Sequence, residues 1–217
     1  MTDQTWWDVF VSSGGLPDLE TWLGGVDAAS RVRIRERIAE CHYESVLDCG
    51  AGLGTDAIGM GNLSHECAYT GVEPSAAMRG AALKVAEAYE RDPFNIVEGD
   101  ITALPFPDAS FDLVYCRHVL EHLPSFETAL SEMVRVARLE TIAVFFMRPG
   151  AETYLFRERD GLWQNRYAKA DVETLLASLP RVAVFFWETL GSEALLHAYL
   201  TDAVAVDPDK VRERLTS

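Results

Sequence analysis

Long apolar runs are absent from this 217-residue chain, which has no stretch of about eighteen apolar residues of the kind that forms a transmembrane helix. The first residues, MTDQTWW, also lack the basic region and apolar stretch that mark a secretory signal peptide. From both absences we expect a soluble, cytoplasmic protein with no membrane partner.

Cysteine is scarce, and its spacing argues against the usual cysteine-based sites. Cys41, Cys49, Cys67 and Cys116 never form a C-x-x-C pair. Three of them lie in or beside apolar segments, where a reduced cysteine packs as a small hydrophobic residue. We therefore expect no disulfide and no metal site.

Basic residues are also scarce, because 19 lysines and arginines stand against 34 aspartates and glutamates, a net charge of −15. An acidic surface repels phosphate backbones, so nucleic acid is disfavoured as a partner. The local exception is the stretch 31–37, RVRIRER. Helical spacing puts Arg33 and Arg37 on one face and Arg31 and Arg35 on another, so we interpret it as a solvated helix.

What the sequence does contain is an apolar strand followed by alternating glycines. The segment 46–55, VLDCGAGLGT, places Gly50, Gly52 and Gly54 directly after the strand. Glycine tolerates positive φ and has no Cβ, so such a turn bends sharply and lets a nucleoside lie against the backbone. The motif alone is weak, because glycine-rich turns also occur as plain connections and in dinucleotide-binding folds.

Acidic residues follow the next two apolar segments. Glu73 comes after 68–72, about twenty residues beyond the glycines, as expected for an acid that hydrogen-bonds ribose hydroxyls. Asp100 follows 94–99 and could accept a hydrogen bond from the amine of adenine. A proline-bounded turn, 104–110, then leads into a fourth strand.

Taken together, these motifs resemble the class I S-adenosylmethionine-dependent methyltransferases, and most closely the broad type 11 group. The resemblance rests on residues 44–147. It implies a Rossmann-like three-layer α/β sandwich with a mostly parallel seven-stranded sheet, strand order 3-2-1-4-5-7-6, and an antiparallel last strand. Pattern alone predicts only a parallel α/β sheet. We expect a single domain with an N-terminal helical cap (1–43), this core, and a C-terminal part (148–217) with a substrate loop, a helix and an antiparallel hairpin.

The resemblance also implies positions around S-adenosylmethionine as cofactor. Asp48 would lie near its methionine end, Gly50 and Gly52 under it, Glu73 on the ribose, and Asp100 beside the adenine. The full set of predicted cofactor residues is Asp48, Gly50, Ala51, Gly52, Glu73, Pro74, Asp100, Ile101 and Arg117, with Leu53 and Ser75 as further neighbours.

Apolar periodicity predicts the remaining elements. The predicted helices are 16–22, 28–41, 55–61, 76–89, 125–138 and 169–178, and the predicted strands are 45–49, 68–73, 94–99, 111–116 and 141–147, with a hairpin over 182–187 and 195–200.

The segment RHVLEH, 117–122, follows the fourth strand, where open α/β sheets bind ligands. We predict His118 as the catalytic base that takes a proton from the acceptor, since an imidazole titrates near neutrality. A role in orienting the loop or binding the cofactor carboxylate stays open. The letters H-x-x-E-H also match a zinc-peptidase motif, but Pro124 argues against the continuous helix which that motif needs.

The long connection 148–168 is rich in aromatic residues and arginines, and long loops in compact domains are usually functional. Flat rings and guanidinium groups suit a modest-sized acceptor, including an anionic one. Packing of the loop against the core is the other interpretation. The predicted substrate residues are His118, Arg148, Trp163, Asn165 and Tyr167.

The resulting functional prediction is methyl transfer from S-adenosylmethionine to an oxygen or nitrogen of a small molecule. Three alternatives stay open: a cofactor-binding protein without transferase activity, a methyltransferase acting on a protein or nucleic acid, and a nicotinamide-dependent oxidoreductase. The glycine spacing and the aspartate before it weaken the last. The oligomeric state is not predicted.

Overall fold

Short apolar strands alternate with helices along the chain, and this alternation builds a largely parallel sheet covered by helices. The computed structural model describes residues 3–15, 25–61, 67–146 and 148–206. Its strands are β1 Ser45–Cys49, β2 Ala68–Val72, β3 Ile96–Val97, β4 Phe111–Arg117, β5 Ala137–Phe145, β6 Val182–Leu190 and β7 Glu193–Leu200.

The seven strands form one sheet in the order β3-β2-β1-β4-β5-β7-β6. β1 pairs in parallel with β2 and β4, whereas β7 runs antiparallel to both β5 and β6. This confirms the Rossmann-like order, the antiparallel last strand and the C-terminal hairpin. The carboxyl ends of β1, β2 and β4 therefore meet at one edge of the sheet, where ligands bind in open α/β folds.

The five helices predicted from residue 28 onward are confirmed, with ends that differ by two residues at most, whereas the helix over Thr201–Val206 was not predicted. The predicted helix 16–22 lies outside the described residues, as does the chain beyond 206. None of the helices in the described ranges is long and apolar enough to cross a membrane. The helices are α1 Asp3–Ser12, α2 Ala29–Cys41, α3 Thr55–Gly59, α4 Ala76–Ala88, α5 Glu127–Val136, α6 Lys169–Ser178 and α7 Thr201–Val206, with a 3₁₀ turn at Leu120–His122.

The bounds of three strands were predicted wrongly, and one of them, β6, extends to Leu190 instead of ending at Trp187. β5 begins at Ala137 instead of Thr141, because the backbone turns extended there (φ −73°, ψ 142°) directly after α5. β3 is shorter than predicted, with only Ile96–Val97 pairing to β2. The early start of β5 has a consequence, because it places Glu140 inside the sheet, fully buried.

Apolar side chains cover both faces of the sheet. Neighbouring strand residues point to opposite faces, so Leu47 and Val114 pack with α5 and α6 while Val46 and Leu113 pack with α2. Burial on both faces explains why the central strands are nearly continuous apolar runs.

The arginine stretch on α2 is not the solvated helix that we predicted. Arg37 is buried, and its Nε donates to Glu140 Oε2 at 2.6 Å, while the Tyr43 hydroxyl donates to the same oxygen at 2.5 Å. Glu140 Oε1 lies 2.9 Å from His197 Nδ1 on β7. Because a buried charge must be paired, this ionic group fixes α2 against β5 and β7.

Candidate functional site

The glycine turn after β1 adopts a backbone that other residues avoid. φ is +81° at Gly50, +54° at Gly52 and +74° at Gly54. A Cβ on Gly50 would lie 2.5 Å from Val119 Cγ2, and one on Gly54 would collide with the Phe94 ring. Packing within the protein therefore explains the first and third glycines.

Gly52 is different, because the nearest atom to a Cβ built there is Met78 Cε at 3.5 Å. Its backbone N–H donates to Glu73 Oε2 at 3.0 Å, and Glu73 Oε1 accepts from Ser75 N at 2.9 Å. Glu73 thus ties the glycine turn to the end of β2, a role that sequence reasoning missed. Burial raises the pKa of this carboxyl, against the hydrogen bonds from the two backbone N–H groups.

Asp48 lies near the carboxyl end of β1 and is 2% exposed. The Tyr69 hydroxyl donates to its Oδ2 at 2.7 Å. Burial and the nearby charge of Asp56 raise the pKa of Asp48 to about 8. Arg31 forms an ion pair with Asp56, so two acids share one arginine in this pocket. A carboxyl with this pKa is mainly protonated at pH 7, so Asp48 can donate as well as accept a hydrogen bond.

The other predicted cofactor residues line the same edge of the sheet with different exposure. Asp100 is exposed, and its Oδ1 accepts from Thr102 N at 2.8 Å and from Thr102 Oγ1 at 2.7 Å, which leaves Oδ2 for a ligand. Ile101 and Ala51 are buried, and Pro74 is half-buried.

Arg117 ends β4 and is held by groups from two other elements. Its Nε donates to Ser30 Oγ on α2 at 2.9 Å, and its Nη2 donates to Glu193 Oε1 on β7 at 2.8 Å. These two hydrogen bonds use the Nε and Nη2 donors of the guanidinium group. Arg117 therefore connects the end of β4 with α2 and β7 beside the site. Its contact with the cofactor stays a prediction.

His118 follows Arg117 with φ +57°, a conformation that costs energy for a residue with a Cβ. Its backbone N–H donates to Val144 O at 2.9 Å, and its Nε2 lies 2.5 Å from Glu193 Oε1. Burial and the charge of Arg117 lower the pKa of His118 to about 4, despite the carboxylate. Our expectation that this imidazole titrates near neutrality was wrong, and it is neutral at pH 7.

His122 has structural contacts on every side. Its Nδ1 lies 2.8 Å from Trp163 O, its ring stacks on Phe146 at 5.5 Å, and Trp7 packs edge-on at 6.0 Å. The 3₁₀ turn that follows His118 ends with His122, and both rings pack against Phe146, but their ring nitrogens contact different partners. Within the described residues, no three His, Cys, Asp or Glu side chains cluster as metal ligands.

The connection 148–168 folds back as an arm, with isolated bridges between Gly150 and Ala168 and between Tyr154 and Arg166. Asn165 is fully buried, donating from Nδ2 to Leu123 O at 2.7 Å and accepting at Oδ1 from the Phe156 N–H at 2.9 Å. These bonds hold the arm against the core.

The predicted substrate residues in the arm differ in what they offer a ligand. The Tyr167 hydroxyl is buried and donates to Leu120 O at 2.8 Å, so Tyr167 packs the arm as Asn165 does. Trp163 is half-buried beneath the Arg157 guanidinium, 5.2 Å from its ring centre, and Arg148 is exposed. The geometry therefore favours Trp163 and Arg148 for ligand contact.

Helix α1 closes one side of the site, and it lies within the N-terminal helical cap that we predicted without giving this helix its bounds. Asp8 accepts from Ser75 Oγ at 2.5 Å and from Ala77 N at 3.2 Å at the start of α4. Trp7 packs between the apolar cluster beside the glycine turn and the His122 ring. In the sequence, only the adjacent residues Trp6 and Trp7 indicated a helix at this place.

The central part of the chain is similar in sequence to known methyltransferases. Residues 47–145 match a family model described as "Methyltransferase domain". An uncharacterized methyltransferase of Bacillus subtilis, YcgJ, is 34% identical over 103 residues, 47% of this chain and 40% of that protein. A probable chloroplastic tocopherol O-methyltransferase of rice is 37% identical over 100 residues, 46% of this chain and 27% of that protein.

Solved structures extend the likeness of fold to most of the chain. A 1,6-didemethyltoxoflavin-N1-methyltransferase of Burkholderia thailandensis, solved with S-adenosylhomocysteine, has a TM-score of 0.67 at 16% identity over 92% of this chain and 87% of that one. Magnesium protoporphyrin IX methyltransferase of Synechocystis, solved with bound cofactor, has a TM-score of 0.63 at 17% identity over 93% and 98%. The chain spans less than half the length of the first curated relatives that it matches.

Proposed function

We propose that this chain transfers a methyl group from S-adenosylmethionine to an oxygen or nitrogen of a small molecule, because residues 47–145 match a methyltransferase-domain model. The observation that carries the proposal is the position of Gly52 beside Glu73 at the carboxyl ends of β1 and β2, where a Cβ on Gly52 would approach no protein atom closer than Met78 Cε at 3.5 Å. A nucleoside can approach the backbone there, and a carboxylate is in place for its ribose.

The residues present fit this cofactor. Glu73 would hold the ribose, Asp100 and Ile101 would enclose the adenine, and Asp48 would lie near the methionine end. When bound, the cofactor supplies a methyl group already activated on a sulfonium. The chain's own residues then have to position the acceptor, exclude water and receive a proton.

Small molecules are the acceptor class that several observations support. A net charge of −15 repels nucleic acid. Relatives are named for tocopherol and demethylmenaquinone, which are small molecules. Trp163 and Arg148 in the arm would add a flat apolar surface and a positive charge, a combination that also suits an anionic acceptor.

All four cysteines are unpaired, in keeping with a reducing compartment such as the cytoplasm.

The proposal is tested by binding and then by turnover. Calorimetry should show binding of S-adenosylhomocysteine and none of NADH. A panel of phenols, quinols, carboxylic acids and amines should then give S-adenosylhomocysteine from S-adenosylmethionine with at least one acceptor. Binding of NADH alone would favour the oxidoreductase, and cofactor binding without turnover on any acceptor would favour the binding protein.

Replacement of Glu73 by alanine should weaken S-adenosylhomocysteine binding by about 1–3 kcal/mol, because the ribose hydroxyls lose a charged partner and the glycine turn loses its tie to β2. Calorimetry measures the loss. Glu98→Ala is the matched control, since Glu98 is an exposed acid that pairs with Arg79 at the end of β3. Equal affinity in the Glu73 and Glu98 variants would remove Glu73 from the site.

Gly52→Ala should also weaken S-adenosylhomocysteine binding, by about tenfold or more, because its Cβ would enter the space left for the ligand while meeting no protein atom closer than 3.5 Å. Gly191→Ala controls for backbone strain, since Gly191 has φ +56° and open space around it. Similar thermal stability with unequal affinity is expected. If both variants bind as well as the unaltered protein, Gly52 only connects two elements.

A further inference from the structure

We propose that Glu193 is a positioning residue for the reaction, which fixes His118 as the Nε2–H tautomer so that Nδ1 is the atom that accepts the acceptor's proton. The inference rests on the proposed function and assigns a role to a residue 75 positions away in the chain. Three features of the contact between His118 and Glu193 support it.

The first feature is the chemistry of the contact. Glu193 Oε1 lies 2.5 Å from His118 Nε2, and an ionised carboxylate can only accept a hydrogen bond. The proton of a neutral imidazole must therefore be on Nε2. His118 Nδ1 makes no hydrogen bond within the described part of the chain, so its lone pair is left for a proton.

The second feature is the charge balance around the carboxylate. Glu193 also accepts from Arg117 Nη2 at 2.8 Å, and Arg117 Nε donates to Ser30 Oγ. Burial opposes ionisation, but the hydroxyl of Ser30 and the charge of Arg117 hold the pKa of Glu193 below its ordinary value. Glu193 is therefore ionised and His118 neutral at pH 7, the state that a base needs.

The third feature is the backbone that presents the ring. His118 holds φ +57° and is fixed by the hydrogen bond from its N–H to Val144 O, while Glu193 follows directly after the tight turn between β6 and β7. Strain of this kind persists only where the surroundings determine it. The His118 ring and the Glu193 carboxylate are thus both held by the sheet, which suits orientation of a reacting group.

In the proton transfer, the acceptor's proton moves to His118 beside Glu193. The acceptor's O–H or N–H bond breaks, its electron pair stays on the acceptor, and Nδ1 binds the proton. The imidazolium that forms lies against the Glu193 carboxylate, which stabilises it without taking the proton, as an acid behind a catalytic histidine does.

The test is the tautomer of His118, measured by two-dimensional ¹⁵N–¹H spectra of the imidazole in ¹⁵N-histidine-labelled protein between pH 6 and 8, with His118→Gln to assign its signals. We expect the Nε2–H tautomer in the unaltered protein and a mixture of tautomers in Glu193→Ala. Glu193→Gln should keep the tautomer, because the amide oxygen can still accept from Nε2.

Glu188→Ala is the matched control, because Glu188 Oε2 lies 3.2 Å from Nε2 of another histidine, His197. That variant should change the signals of His197 and leave those of His118 unaltered. An Nδ1–H tautomer in the unaltered protein would overturn the proposal, and so would an unchanged tautomer in Glu193→Ala. If Glu193→Ala does not fold, the tautomer of the unaltered protein decides.

Cofactor binding separates this proposal from the function on which it rests. Absence of S-adenosylhomocysteine binding in the unaltered protein would contradict the proposed function while leaving the tautomer result valid. With an acceptor from the panel, Glu193→Ala should lower kcat by about 10–100-fold with little change in the acceptor KM, a share of what a general base supplies. Loss confined to KM would make Glu193 a substrate-binding residue instead.

Discussion

Arg37→Met is expected to lower the free energy of unfolding by about 3 kcal/mol, because it leaves the Glu140 carboxylate charged in the core without its main partner. Arg37 and Glu140 are both buried, at 3% and 0% exposure. The value lies at the lower end for a broken buried ion pair, since Tyr43 and His197 still contact Glu140. Urea denaturation followed by circular dichroism measures the change.

Two further variants separate the loss of charge pairing from the loss of packing. Arg33→Met, on the same helix, removes a partner of half-exposed Glu188 and should cost under about 1 kcal/mol. Adding Glu140→Gln to Arg37→Met should restore part of the stability, because no uncompensated charge remains. A double variant that is less stable than Arg37→Met would show that packing, not charge, accounts for the effect.

The local features of this fold could be predicted from the sequence because their causes are local. The alternating glycines permit the positive φ of a sharp turn, and the acid after β2 lies next to that turn by virtue of parallel pairing. Helix ends after residue 28 follow from periodicity. The strand order came from the family resemblance, since pattern alone gave only a parallel sheet.

What the sequence did not reveal depends on register between distant strands. Glu140 and Arg37 are 103 residues apart, and Arg37 has the spacing of an ordinary surface arginine until β5 places an acid beneath it. Glu193 lies in no motif, and its contact with His118 exists only because the hairpin returns β7 beside β5. The lowered pKa of His118 follows from that burial and from Arg117, so the ordinary pKa of histidine was a misleading guide.

His118→Ala is expected to lower kcat by about 10²–10⁴-fold with the acceptor that the panel identifies, because the proton of that acceptor loses its base. S-adenosylhomocysteine affinity should stay unchanged, since the side chain is committed to Glu193 and not to the cofactor. Unaltered kinetics would exclude His118 from catalysis, and weaker cofactor binding as the main effect would assign it to the cofactor carboxylate.

The pH profile distinguishes a base from a side chain that only positions the acceptor. Burial and Arg117 lower the pKa of His118 to about 4, so the neutral form that accepts a proton persists throughout the neutral range. The value of kcat/KM should therefore be level above about pH 5 and fall as the pH is lowered through about 4. His118→Ala should lose this acid limb, whereas His122→Gln, which alters a ring held by Trp163 O, should keep it. A profile that His118→Ala leaves unchanged would mean that the acceptor reacts without a base, as an acceptor already ionised at neutral pH would.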